Sequence, residues 1–161
     1  VTPRIEEVSV ADPRALALRA LLDAELHARY GPLVAGEPAE VTAAREAALT
    51  VHPGDVVATF LALGEDGEAL GHVMLRRLGE EWELKRLIVP TAGRRRGVGR
   101  ALTDAVVQRA RSGGARRVIL QTGEPQPESV RLYAAAGFTP IPVYEPYVAT
   151  MPESLCFERV L

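Results

Sequence analysis

The sequence holds one cysteine, Cys156, which rules out an intramolecular disulfide and a cysteine-built zinc site. That scarcity fits a reducing compartment, and the cytoplasm is the simplest expectation. Lysine is equally scarce: Lys85 stands alone, the other basic residues are arginines, and asparagine is absent. With the abundant alanine, this bias reads as genomic composition. No apolar run reaches the roughly 18 residues a membrane span needs. The first residues carry Arg4, Glu6 and Glu7 instead of a basic patch followed by an apolar core, so neither a span nor a signal peptide is expected. Neither sign of charge dominates. Nineteen basic residues against 21 acidic ones leave a net charge of −2, giving no global field to recruit nucleic acid or an anionic membrane. Any anion site must be local.

What is present suits one compact domain over residues 1–161. A chain of 161 residues and 17.4 kDa is long enough to bury roughly 70% of its unfolded surface. Hydrophobic residues at 47% and charged residues at 25% exclude disordered and collagen-like classes. There is no internal repeat, low-complexity linker or compositional boundary.

Arg4 to Val10 alternates loosely and reads as a strand. Asp12 is placed to cap a helix with Pro13 at its first position, and Leu16, Leu18, Leu21, Leu22 and Leu26 are expected on its buried face to about Arg29. Tyr30-Gly31-Pro32 ends it. Pro38 to Thr50 is a second helical stretch with a weaker apolar face. Val56–Leu63 and Ala69–Leu78 form a hairpin across Glu65-Asp66-Gly67-Glu68, and Trp82 to Val89 adds a third antiparallel strand. A helix follows from about Gly97 to Arg111, with Ala101, Leu102, Ala105, Val106 and Ala110 on one face. Arg117 to Thr122 is a strand parallel to Trp82–Val89, because a strand-helix-strand unit prefers a right-handed crossover. Pro127 to Ala136 is helical with Gly137 as a left-handed cap. Phe138–Val143 and Ser154–Val160 form a terminal antiparallel pair around a loop spanning Pro140–Pro152. The class is α+β with a mixed sheet.

The strongest chemical signal is Arg94-Arg95-Arg96-Gly97-Val98-Gly99-Arg100, between a strand and a helix. Glycines let the chain bend sharply and let an anion approach free amides, while the helix start contributes partial positive charge. A diphosphate fits such a turn. No Gly-Lys-Ser/Thr follows, and Leu102 occupies the third glycine's place, so neither a Walker loop nor a dinucleotide fingerprint is present. A solvated basic loop remains the competing explanation. A nucleic-acid patch is disfavoured, since no aromatic residues interleave the cluster. His27, His52 and His72 are too scattered for a metal site and are expected at the surface or satisfied in the core. Cys156, between Leu155 and Phe157, is expected as a buried thiol, and no Gly-x-Ser-x-Gly elbow supports a serine hydrolase.

The order of parts resembles the GNAT superfamily of acyl-CoA-dependent N-acyltransferases, in its bacterial small-molecule-type subgroup, over nearly the whole chain. Arg94-Arg95-Arg96-Gly97-Val98-Gly99 satisfies the family's Gln/Arg-x-x-Gly-x-Gly/Ala pattern. Gln126 to Tyr133, followed by Ala136-Gly137-Phe138, is similar to its Asn-x-x-Ala-x-x-Leu-Tyr-x-x-x-Gly-Phe signature, with Gln126 for Asn and Ser129 for Ala. The resemblance implies a mixed, mostly antiparallel sheet whose central parallel strands splay apart. It implies acetyl-CoA as acyl donor, with the backbones of Leu87, Ile88 and Val89 pairing with pantetheine. The turn from Arg94 through Arg95, Arg96, Gly97, Val98 and Gly99 to Arg100 would hold the diphosphate, and Gln126 would bond a pantetheine amide.

By position, the resemblance places Glu83 as general base, directly or through water, and Tyr133 as acid to the leaving thiolate, with the Leu87 amide as oxyanion donor. The alternatives are Glu83 in a structural ion pair with Arg86 or Arg116 or as an exposed strand carboxylate, and Tyr133 as a packed helix tyrosine. Glu25, His27, Tyr30, Tyr144 and Tyr147 are acceptor-side candidates. The expected function is acetyl transfer to an amine of a small molecule in a ternary complex, without metal, nucleic acid or membrane, and with a homodimer among the implied assemblies. The rival is a non-catalytic CoA-binding or protein-interaction module.

Overall fold

The computed structural model describes residues 2–161, in which seven strands form one sheet with helices on both faces. The order is β1-β2-β3-β4-β5-β7-β6, with β1 Arg4–Val8, β2 Val56–Leu63, β3 Ala69–Leu78, β4 Glu81–Ile88, β5 Arg117–Thr122, β6 Thr139–Ile141 and β7 Leu155–Val160. Every neighbouring pair is antiparallel except β4–β5. The expected α+β class and mixed sheet are therefore present. No helix among the described residues is long and apolar enough to cross a membrane.

Helix α1, Pro13–Tyr30, starts where Asp12 accepts the Arg14 amide at 2.9 Å, a cap worth about 1 kcal/mol. Its buried face is Ala15, Leu18 and Leu22, with Leu26 half-buried against Leu61, Leu63 and Ile88. Leu16 and Leu21, expected on that face, are 51% and 41% exposed. The helical period decides: 15, 18, 22 and 26 stay within one stripe, and residues 16 and 21 rotate to its edges. Helix α2, Ala39–Leu49, buries only Ala48.

The opposite face holds the larger core. Helix α3, Val98–Ser112, packs Val98, Leu102, Val106, Val107 and Ala110 against Leu70, Leu75, Leu84, Val118 and Leu120. The approach is close because Gly71 of β3 has no side chain. A Cβ there would stand 2.6 Å from Val98 Cγ1 and 2.8 Å from Leu102 Cδ1. Helix α4, Pro127–Ala135, adds Tyr133 to this core, and Gly137 at φ 88° is the left-handed stop its sequence announced. The terminal loop departs from expectation, since Tyr147–Thr150 forms a short helix, α5, fixed by contacts made at Tyr147.

Two irregularities at the sheet centre position the site. The parallel β4–β5 register consists of one pair, Glu83 opposite Ile119. Beyond it the strands part, so the β4 edge from Leu84 to Ile88 faces no partner strand. On its other edge, β4 pairs with β3 as Met74↔Lys85 and then His72↔Ile88, which inserts one extra residue into β4. Arg86 takes up the excess at φ 58°. This bulge turns Leu87 toward the α3 core and keeps Lys85 and Ile88 facing α1.

Candidate functional site

At the wide end of the splay, the arginine-glycine turn has the backbone shape of an anion cradle. Arg95 and Gly97 take left-handed φ values of 59° and 74°, and Gly97 is the N-cap of α3. The first intrahelical bond runs from Ala101 N to Gly97 O at 3.0 Å, and none of the amides from Arg95 to Arg100 reaches a backbone acceptor. Successive free amides around αL residues at a helix start concentrate positive potential. The side chains of Arg94, Arg95, Arg96 and Arg100 are exposed. Their ion pairs, Arg94–Glu25 at 3.6 Å, Arg96–Glu68 at 3.9 Å and Arg100–Asp104 at 3.1 Å, lie in solvent and are weakly held. Gly99 leaves room for Leu132, whose Cδ2 would lie 3.0 Å from a Cβ.

Leu87 and Val89 are half-buried and Ile88 is buried, with their backbones at the open edge of β4. On α4, the Tyr133 ring packs on Phe138 with centroids 5.8 Å apart. Burial pushes the Tyr133 phenol well above its ordinary value, so it stays protonated. Gln126 donates through Nε2 to the Tyr30 hydroxyl at 3.0 Å, which leaves its carbonyl oxygen available. Arg29 fastens the same junction by donating to the Pro125 carbonyl at 3.0 Å and pairing with Glu128.

On the α1 side of the sheet stands a polar cluster that the sequence disclosed only in part. Glu83 is 0% exposed and accepts three hydrogen bonds. Arg76 Nε donates to Oε1 at 2.7 Å, while Tyr144 and Tyr147 donate to Oε2 at 2.6 Å and 3.0 Å. The expected partners Arg86 and Arg116 are not used; Arg76 lies directly across from Glu83 in the β3–β4 register. The buried Tyr147 hydroxyl also accepts from Lys85 Nζ at 2.9 Å and Arg76 Nη2 at 3.2 Å. Its ring lies 5.1 Å from Lys85 Nζ and edge-on to Tyr144 at 5.4 Å. Burial pushes the Lys85 ammonium down to about 8, opposed by the charge of Glu83 and aided by that of Arg76. Both phenols are raised, by burial first and then by the Glu83 charge. Arg76 and Lys85 escaped sequence reasoning, although charges at alternate positions of otherwise apolar strands were the available signal.

Next to this cluster, His72 is wholly buried, with Nδ1 2.8 Å from the Arg86 carbonyl and Nε2 3.0 Å from Arg19 Nη1. A carbonyl accepts and a guanidinium donates, so the ring carries its proton on Nδ1. Burial, with the Arg19 and Arg86 charges, lowers His72 to about 4. His72 is thus the satisfied core histidine expected, and it pins the bulge at Arg86. His27 and His52 are exposed. Cys156 is a buried free thiol whose pKa burial raises. Among the described residues, no group of three or more His, Cys, Asp or Glu side chains is arranged to hold a metal. Of the acceptor-side candidates, Tyr144 and Tyr147 join Glu83, Tyr30 joins Gln126 and Glu25 joins Arg94, while His27 joins none of these groups.

Residues 19–138 match the model of the acetyltransferase (GNAT) family. Comparison with curated proteins gives no match. Among solved structures, the chain is similar to a protein from Klebsiella pneumoniae assigned as an acyl-CoA N-acyltransferase, at 23% identity over 99% of this chain and 97% of that one, with a TM-score of 0.77. An acetyltransferase from Bacillus subtilis in complex with CoA matches at 15% identity over 99% of both chains, with a TM-score of 0.68. A GNAT family acetyltransferase from Elizabethkingia anophelis with acetyl-CoA bound matches at 17% identity over 98% and 97%, with a TM-score of 0.64.

Proposed function

From the premise that the chain belongs to the acetyltransferase (GNAT) family, we propose that it transfers an acetyl group from acetyl-CoA to the amine of a small molecule by direct attack in a ternary complex. The observation that carries this is the pairing of an unpartnered β4 edge with a cradle of free amides at the start of α3. An amide-bearing ligand with a diphosphate at one end satisfies both. The donor supplies an acetyl group activated as a thioester. The backbones of Leu87, Ile88 and Val89 bind its pantetheine arm as an added strand, the amides from Arg95 to Arg100 hold the diphosphate, and the free carbonyl of Gln126 accepts from an arm amide. Exposed Arg94, Arg95, Arg96 and Arg100 offer charge to the nucleotide phosphate.

The Leu87 amide faces charge developing on the acyl oxygen. Tyr133, protonated and in the wall of the gap, gives its proton to the departing thiolate. Glu83 has no exposed surface, so it acts through the half-buried Tyr144 hydroxyl: the phenol takes the amine's proton as its own passes across the 2.6 Å bond to Oε2. Arg76 holds the carboxylate in place through its 2.7 Å contact to Oε1.

Isothermal titration with acetyl-CoA, beside dephospho-CoA and a Gly97→Glu variant, tests the reading. Micromolar binding lost in Gly97→Glu supports it, followed by thiol release with an amine panel. Absence of binding to the wild type overturns it, and binding without turnover across the panel makes the chain a CoA-binding module.

A further inference from the structure

Between α1, the loop after α2 and the α1-side face of β2–β4 lies a cavity of about 190 Å³, lined by Arg19, Asp23 and Arg86 with Val10, Pro53 and Met74 among its apolar walls. Its floor residue Met74 is the cross-strand partner of Lys85, and Arg86 immediately precedes Leu87. The cavity therefore opens on the side of the sheet that holds Glu83, one residue from the amide assigned to the acyl oxygen.

Its charge is out of balance. Arg86 donates to Asp23 at 2.7 Å and to the Leu49 carbonyl at 3.3 Å. Arg19, half-buried, has no carboxylate within ion-pair distance among the described residues. Its donors go to neutral acceptors, the Val10 carbonyl, His72 Nε2 at 3.0 Å and Met74 Sδ at 3.9 Å. Among the described residues, neither guanidinium uses its Nε–H. An unpaired guanidinium beside a second one is costly to hold out of water, and burial with the Arg86 charge lowers its pKa. An anion between the two removes that cost. Nearby Arg76 and Lys85 have Glu83 as the one carboxylate acting on them among the described residues, so the surroundings favour an anion as well.

Resting on the acetyl-transfer reading above, we propose that this cavity seats a carboxylate of the acceptor, so that the substrate class is small amines carrying a carboxylate. The volume is below the roughly 300 Å³ at which whole-ligand sites begin, which suits a head group. Asp23 in the wall leaves the two arginines with one surplus positive charge, which matches a carboxylate better than a dianionic phosphate. The free Nε–H donors of Arg19 and Arg86 supply charge-assisted bonds to it.

The test is thiol release from acetyl-CoA with glycine, β-alanine, L-methionine and L-glutamate, each beside its primary amide. Conversion to the amide lowers the amine's basicity, so a preference for the carboxylate cannot arise from the amount of neutral amine. The best carboxylate acceptor is expected to exceed its amide at least tenfold in kcat/KM, and Arg19→Met is expected to erase that ratio. Asp23→Asn, at an exposed side chain, removes the competing anion and lowers KM for the carboxylate severalfold without relying on the stability of an Arg19 variant. Titration of the same pairs into wild-type protein reads the cavity without turnover. If acetyl-CoA does not bind, the acetyl-transfer reading fails, and these titrations still decide the anion site. If no carboxylate is turned over or bound better than its amide, the cavity assignment is overturned whatever becomes of the coenzyme site.

Discussion

Replacing His72 with glutamine removes a titration while keeping a donor for the Arg86 carbonyl and an acceptor for Arg19. In the fold the imidazole is held near a pKa of about 4, by burial and by the Arg19 and Arg86 charges, against an ordinary value of 6.5. The unfolded chain therefore takes up the proton first as pH falls, and stability is lost between pH 6.5 and pH 4. Each pH unit in that window costs about 1.4 kcal/mol, so the full loss approaches about 3 kcal/mol by pH 4. Above pH 6.5 this contribution is complete and flat. Urea unfolding followed by fluorescence of Trp82, the only tryptophan, measures wild type and His72→Gln at intervals from pH 7.5 to pH 4. Carboxylates titrate alike in both proteins and cancel in the difference. The wild-type advantage at pH 7.5 should shrink by about 3 kcal/mol on the way to pH 4. Parallel stability curves would show that His72 does not stay neutral between the two guanidiniums, and the account of the β4 bulge would fall with it.

Glu83→Gln strands Arg76 in the core and should lower stability by about 3 kcal/mol in urea unfolding; a loss below about 1 kcal/mol would refute the buried ion pair. Tyr144→Phe removes one bond to Glu83, worth about 1 kcal/mol of stability, yet should lower kcat by about a hundredfold with acetyl-CoA affinity unchanged. An unaltered kcat removes Tyr144 from the proton path. Tyr133→Phe removes a hydroxyl from a buried ring and should change stability by less than about 0.5 kcal/mol while lowering kcat by about a hundredfold; wild-type turnover makes it a packing tyrosine. Gly93→Ala would place a Cβ 2.2 Å from the Leu70 carbonyl oxygen, so a melting temperature equal to wild type contradicts that close approach of backbones.

Most elements were legible in the chain because their signals are local. The αL stop at Gly137, the Asp12-Pro13 start and the hairpin turn act within a few residues, and β2, β3 and β5 begin and end where alternation and turn residues place them. The arginine-glycine turn was legible for the same reason. Helix α5 was not, since four residues cannot hold a helix by propensity and need Tyr147 anchored in the core.

The sequence by itself determined the order of strands and helices and the arginine-glycine turn, because each rests on residue type and short spacing, whereas Glu83 and Tyr133 were singled out by position within the family resemblance. Only the tertiary structure decided what those residues meet. Arg76 finds Glu83 through cross-strand register, Tyr144 and Tyr147 reach it from more than 60 residues away, and Arg19 comes to Arg86 by the docking of α1 on the sheet. The bulge at Arg86 made the last choice. One extra residue in β4 sets which side chains face α1 and which face the α3 core, and the buried histidine on the neighbouring strand that bonds the bulge carbonyl has no signature in local sequence.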